Sequence, residues 1–230
     1  MLEFRDVSVS LGDFRLGADF TVEAGARVAV IGPSGSGKST LLSLIAGFLL
    51  PDQGIVAWDG KDLAGVAPGQ RPVSILFQDQ NLFPHLSVAQ NVGMGLRPDL
   101  RLNAEERSRV AQAIARVGLT GMEARRPFAL SGGQQSRVAL ARVRLRARPV
   151  LLLDEPFGAL GPALKNEMLA LLSEIWEESG ATVLMVTHDP DDAARFAPQT
   201  IVVADGTAFS PTPTTPLLDN PPEALRGYLN

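Results

Sequence analysis

The sequence predicts an α/β domain: a parallel sheet core, entered through an antiparallel β ribbon and interrupted by an inserted α-helical segment. Three observations carry this reading. Arg27–Ile31 is a short apolar strand that runs into the glycine-rich GPSGSGKST (Gly32–Thr40) and on into the apolar, helix-like LLSLIAGFLL. Val150–Glu155 reads VLLLDE, an unbroken apolar run of the kind found in parallel strands covered on both faces. Between them, from Ser87 to Arg148, the periodicity becomes helical and Pro149 closes the segment.

Each element follows in order. Leu2–Ser10 and Phe14–Val22 alternate loosely about Leu11-Gly12-Asp13 and form the ribbon. Pro51–Gly54 is turn-like, Ile55–Trp58 a strand, Asp59-Gly60 a hairpin signal, and Val73–Phe77 a further strand. Ser87 and Asn103 are helix-capping candidates, the second opening the capping-box pattern Asn103-Ala-Glu-Glu106. Pro162–Ser179 is predicted helical, with proline in its first turn and Gly180 at its end. Ala181–Val186 is a strand, Pro190–Phe196 a short helix and Thr200–Ala204 a strand. The organisation expected is one domain over 1–230, with an α/β core (1–86 and 149–210), a helical subdomain (87–148), and a proline-rich tail (211–230) before a short terminal helix.

Composition narrows the function. A chain of 230 residues with 45% hydrophobic and 20% charged side chains is an ordinary globular protein, able to bury a substantial core. It contains no cysteine, which removes disulfide and thiolate chemistry and fits a reducing compartment. The opening MLEFRDVSVS lacks the basic-then-apolar pattern of a secretory leader. Leu41–Leu50, the longest apolar run, is half a membrane span and contains Gly47, so a buried helix is expected. The chain should be soluble by itself, with any membrane role exerted through a partner. The net charge of −4 argues against nucleic acid as a partner. Eleven arginines against three acids between Arg101 and Arg148 read as a solvated helical face in preference to a polyanion site.

GPSGSGKS fits the G-x-x-x-x-G-K-[ST] pattern in the required context, after a strand and opening a helix. Gly32, Gly35 and Gly37 let backbone N–H groups of the loop, which also holds Pro33, Ser34 and Ser36, turn toward phosphate oxygens. The helix N-terminus at Lys38–Thr40 adds its partial positive charge. Lys38 is expected on the β- and γ-phosphates of a nucleotide, and Ser39 on Mg²⁺. VLLLDE delivers Asp154 to the carboxyl end of a strand, where α/β sheets bind ligands; it is the second expected Mg²⁺ ligand. Glu155 is then placed to orient and deprotonate the attacking water. By itself, LSGGQ (Leu130–Gln134) before an arginine-bearing helix reads as a Ser-capped helix N-terminus.

Five motifs in order resemble the ATP-binding subunits of ABC transporters: GPSGSGKST, the glutamine of LFQDQ (Gln78), LSGGQ, LLLDEP (Leu151–Pro156) and VTH (Val186–His188). The resemblance covers essentially the whole chain. It implies a P-loop ATPase that binds ATP and Mg²⁺ and pairs head to tail as a homodimer with two ATP molecules sandwiched between copies. Ser131, Gly132, Gly133 and Gln134 would then meet the γ-phosphate held by the other copy. Gln78 would touch Mg²⁺ and the attacking water, and His188 would contact the γ-phosphate. The stretch DQNLFPHLSVAQNV, with Leu82, Phe83 and Leu86 exposed, would receive a short helix from an integral membrane permease near Gln78–Val88, and His85 carries no chemistry. A solute-binding protein is an indirect partner, and the cytoplasmic face of the cell membrane is the implied location.

Within that family, GQRPVSILFQDQNLFPHLSVAQNVGMGL, RLNAEE and DDAARFAPQTIVVADG are most similar to the ATPase subunits of bacterial thiamine importers. Other cargo, a nucleic-acid- or ribosome-associated protein of the family, and a slow nucleotide switch are the competing readings. Two departures stand out. The family's adenine-stacking aromatic falls at Leu11, with Phe14 as the substitute nearby. Gly161 stands where the family carries aspartate, which predicts slowed turnover.

Overall fold

The computed structural model describes residues 1–223, 225 and 226; the remainder of the predicted terminal helix lies outside the described residues. The elements are β1 (Leu2–Leu11), β2 (Phe14–Val22), β3 (Arg27–Ile31), α1 (Lys38–Ala46), β4 (Gln53–Trp58), β5 (Lys61–Asp62), β6 (Val73–Leu76), α2 (Val88–Gly93), α3 (Ala104–Arg116) and α4 (Gly132–Arg146). They continue with β7 (Val150–Asp154), α5 (Pro162–Ser179), β8 (Thr182–Val186), α6 (Pro190–Phe196), β9 (Gln199–Ala204), β10 (Thr207–Ala208), β11 (Thr212–Pro213) and α7 (Thr214–Asp219). Two compact units share the chain. The sheet unit comprises Met1–Val73, Pro149–Glu155 and the chain from Ala181 onward; the helical unit comprises Ser74–Arg148 and Pro156–Gly180.

In the sheet unit the strand order is β5-β4-β1-β2-β10-β9-β3-β8-β7, with β11 also on β9. β9, β3, β8 and β7 run parallel and are almost wholly buried, which is why VLLLD and TVLMV read as continuous apolar runs. The ribbon is antiparallel, Leu2 facing Val22 and Leu11 facing Phe14, so its turn is the two residues Gly12-Asp13. Asp59 and Gly60 both take positive φ (51° and 73°), the backbone a tight β4–β5 hairpin demands.

The run LLSLIAGFLL is helical only to Ala46. Gly47 closes α1 in the left-handed region (φ 85°), and a Cβ there would lie 2.4 Å from Arg71 Nε. Phe48 and Leu50 beyond it are 57% and 54% exposed, so the expected fully buried helix is cut short by a glycine cap. Arg71, buried to 1% exposure, donates to the carbonyls of Leu44, Ile45, Leu63 and Val66. Its guanidinium satisfies the last carbonyls of α1, which have no intrahelical partner. Nothing in the local pattern of GQRPVS distinguishes this arginine from a surface one.

In the helical unit, α2, α3 and α4 enclose a core of Val88, Val92, Ile114, Val138 and Ala141 among others. Ser87, Asn103 and Ser131 each cap a helix with the reciprocal Gln or Glu three residues on. Leu82 and Leu86, expected to be exposed, are partly buried; Leu82 packs against this core, whereas Phe83 is 40% exposed. The loop is less open than its sequence suggests because Asn91 holds it: Oδ1 accepts from Phe83 N, and Nδ2 donates to the carbonyls of Phe83, Leu86 and Ser87. α5 runs from Pro162 to Ser179 and ends at Gly180 with φ 62°.

Candidate nucleotide site

β3 ends at Ile31 and the chain must turn at once into α1. Gly32 (φ 153°), Gly35 (77°) and Gly37 (106°) make that turn in backbone conformations other residues rarely adopt. A Cβ on Gly32 would lie 2.0 Å from Val203 O on neighbouring β9, and one on Gly37 would lie 2.7 Å from Phe14 Cζ. Gly32 is therefore required by close packing against backbone as well as by its dihedral angle, whereas Gly37 is required chiefly by its dihedral angle.

Lys38 opens α1 and folds back over the loop, donating from Nζ to the carbonyls of Gly32 and Pro33, both at 2.8 Å. Burial lowers its pKa, against the opposing pull of the Glu155 and Asp154 carboxylates. Asp154, the last residue of β7, is pushed up by burial and by Glu155, while the Ser39 hydroxyl bonded to it and Lys38 oppose the shift. Ser36 Oγ is buried without a hydrogen-bond partner, a donor available to a phosphate oxygen.

Glu155 takes a left-handed backbone (φ 46°), uncommon for a non-glycine residue and frequent at functional sites. Its N–H donates to Val186 O at 3.1 Å, tying it to β8. Its Oε2 lies 3.0 Å from His188 Nδ1, so the Nδ1-protonated imidazole donates to the carboxylate. Thr187, between Val186 and His188, bonds through its backbone N–H to Val30 O and through its hydroxyl to Asp192; its position next to the histidine was the only signal for it.

These residues surround one cleft of about 670 Å³, lined by Leu11, Phe14, Gly32, Ser34, Gly35, Gly37, Lys38, Ser39, Thr40, Glu155 and His188. The structure thus brings the strand–loop–helix motif, both candidate stacking residues and the predicted base to one place. Ser39 and Asp154 are hard oxygen donors hydrogen-bonded to each other, a pair that suits Mg²⁺. Among the described residues there is no cluster of three or more His, Cys, Asp or Glu; Mg²⁺ needs none, since waters and substrate phosphates supply its other ligands.

The remaining predicted residues belong to the helical unit. Gln78 is exposed just beyond β6. Ser131 caps α4: its hydroxyl accepts from Gln134 N, and Gln134 Oε1 accepts from Ser131 N at 3.0 Å. Gly132 has only ordinary contact with its surroundings, the nearest atom to an added Cβ being Leu160 Cδ2 at 3.7 Å. Gly133 is packed against Leu164, where a Cβ would meet Cδ2 at 2.5 Å. Gly161 is the N-cap of α5 with ordinary extended backbone (φ −66°, ψ 158°), no side-chain cap and open space around a Cβ.

The profile of the ABC transporter family matches residues 16–158. The chain belongs to this family. As an ABC cassette it is an ATP-binding, ATP-hydrolysing protein. A thiamine import ATP-binding protein of Cereibacter sphaeroides is 62% identical over 229 residues, covering 100% of this chain and 99% of that protein. The protein of the same name from Escherichia coli K12 is 50% identical over 206 residues, 90% of this chain and 89% of that one. Among solved structures, a cassette of Clostridium perfringens, described as part of an ABC transporter complex, superposes with a TM-score of 0.84 at 30% identity, covering 95% of this chain and 90% of that chain. A dimeric ATP-binding cassette in a post-hydrolysis state with ADP and phosphate gives 0.79 at 30% identity, covering 93% of this chain and 99% of that one.

Proposed function

We propose that this chain is the ATP-hydrolysing subunit of an ABC importer for thiamine, working as a head-to-tail dimer on the cytoplasmic face of a membrane permease. The observation that carries the chemistry is the single cleft in which Lys38, Ser39, Glu155 and His188 converge beside Asp154. The cargo reading rests on relatives of 50% and 62% identity, each named for thiamine import. The whole chain acts as one ABC ATPase domain, its helical unit carrying the signature turn.

The chemistry follows from the residues present. Loop N–H groups and the N-terminus of α1 hold the β- and γ-phosphates, and Lys38 leaves its two carbonyl partners to neutralise phosphate oxygens. Ser39 and Asp154 would hold Mg²⁺, with Gln78 as a further contact, and bound Mg²⁺ would supply charge neutralisation and polarisation of the γ-phosphoryl group. Glu155 accepts the proton of the attacking water, and His188 fixes the carboxylate that does so. Phe14, or Leu11 at the family position, lies against the base. Ser131 and the following N–H groups complete the anion site of the opposite copy, where closure excludes water and couples turnover to the permease docked near Gln78–Val88.

Uptake of labelled thiamine at low external concentration in cells lacking the gene tests the cargo, with wild type and Lys38→Ala restored in parallel. Recovery with wild type alone is expected; undiminished uptake in the deletion strain would remove thiamine. Glu155→Gln tests the assembly. It is expected to elute as a dimer with MgATP and as a monomer without it, and a monomer in both conditions would end the sandwich arrangement.

A further inference from the structure

The loop after β6 holds two consecutive non-glycine residues in left-handed backbone, Gln80 (φ 59°) and Asn81 (φ 44°). Such residues persist only where their surroundings over-determine them. Here the constraint comes from α4. Arg142 donates from Nη1 to Asn81 O at 2.8 Å and from Nη2 to Gln80 O at 2.9 Å, one planar fork gripping two successive carbonyls. Gln80 itself is buried, and its Nε2 donates to Ser136 Oγ at 2.6 Å. Ser136 Oγ donates in turn to Gly132 O at 3.1 Å, within the first turn of α4. An unbroken line of side-chain bonds therefore runs from the Ser131–Gly132 turn to the backbone two residues after Gln78. The Gln80–Ser136 bond is buried, and in low-dielectric surroundings it resists displacement more strongly than it would in water.

We propose that Gln80, bonded to Ser136 and clamped by Arg142, is the positioning residue that ties the placement of Gln78 to the first turn of α4. This rests on the reading of Gln78 and the Ser131 turn as parts of the nucleotide site. When the Ser131 turn engages a phosphate, the shift is passed to the Gln78 loop through Gln80. The same loop continues into Phe83 and His85, whose rings meet edge to face, so the linkage reaches the segment offered to the permease.

The test is a double-mutant cycle on ATP turnover by the chain in its co-purified membrane complex. Gln80→Leu is expected to lower kcat about tenfold as Gln78 loses its placement, with KM for ATP within about twofold. In a Gln78→Ala background the same change is expected to have no further effect, because Gln80 acts only through Gln78. Ser136→Ala removes the bond from the other side and should reproduce the pattern, which keeps the test valid if Gln80→Leu folds poorly. Arg142→Lys, a point charge in place of a fork, should lower kcat in the same sense. A Gln80→Leu kcat within twofold of wild type, or effects that multiply with Gln78→Ala, would overturn the proposal. Glu155→Gln runs alongside: persistent turnover there would remove the underlying nucleotide-site reading, whereas its loss with a normal Gln80→Leu would remove only the positioning role.

Discussion

The cradle after β3 and the signature turn before α4 look alike in sequence, each placing glycines at the start of a helix, yet the structure uses those glycines differently. In the cradle, Gly32 and Gly37 both have positive φ; a Cβ on Gly32 would run into backbone at Val203 O, and one on Gly37 would push aside the Phe14 ring. α1 has no side-chain cap, so the first N–H groups of the helix stay available to an anion. At α4 the backbone is ordinary, the cap is complete, and Gly132 meets nothing closer than 3.7 Å. The cradle glycines are demanded by the chain's own fold. Gly132 is not: its own surroundings leave space for a side chain, as the proposed close approach of a second copy's nucleotide requires.

The largest effect expected on this contrast is at Gly32. Gly32→Ala forces a methyl against a backbone oxygen, and a loss of at least about 2 kcal/mol of stability is expected in thermal or urea unfolding. Gly132→Ala should leave the melting temperature unchanged or raise stability by up to about 1 kcal/mol, because alanine is the better helix former. It should nevertheless abolish the MgATP-dependent dimer of the Glu155→Gln background. A Gly132→Ala protein that dimerises normally would break the comparison.

Asp154 sharpens it from the other side. Burial raises this carboxyl, so the folded chain binds its proton more readily than the unfolded chain does. Stability therefore falls as pH rises from the unfolded carboxylate pKa through the folded one, and the deficit persists above it. Asp154→Asn should raise the nucleotide-free melting temperature at neutral pH, with the gain shrinking as pH falls into the acid range, while MgATP turnover is lost. A gain that does not depend on pH would show that Asp154 carries no such cost.

The smallest effect belongs to Gly161. Aspartate fits there without strain and can cap α5, so Gly161→Asp should add a few tenths of a kcal/mol, about the usual difference between these caps. Steady-state phosphate release should rise as well; no gain would show that Gly161 does not limit turnover.

The cradle was legible because it is local: strand, glycine loop, lysine and helix are consecutive in sequence. The parallel strands were legible for a related reason, since burial on both faces leaves an unbroken apolar run. Arg71, Gln80 and Asn91 were not legible. Their partners are backbone carbonyls, a serine hydroxyl and loop amides brought up by folding, and isolated polar residues in GQRPVS, QDQ and AQN look like surface. The end of α1 was missed because LLSLIAGFLL is apolar on both sides of Gly47, and only the Arg71 side chain beside that glycine shows why the helix stops.

The sequence alone determined the family, the strand–glycine loop–helix after β3, the acid pair at the end of β7, and the order of the main elements, all of them encoded in short contiguous patterns. Tertiary structure decided which glycines are obligatory, how far the exposed-looking leucines are covered, and how the Gln78 loop is held. Those depend on atoms distant in sequence meeting at van der Waals or hydrogen-bond range, where a difference of one ångström separates an allowed side chain from a forbidden one.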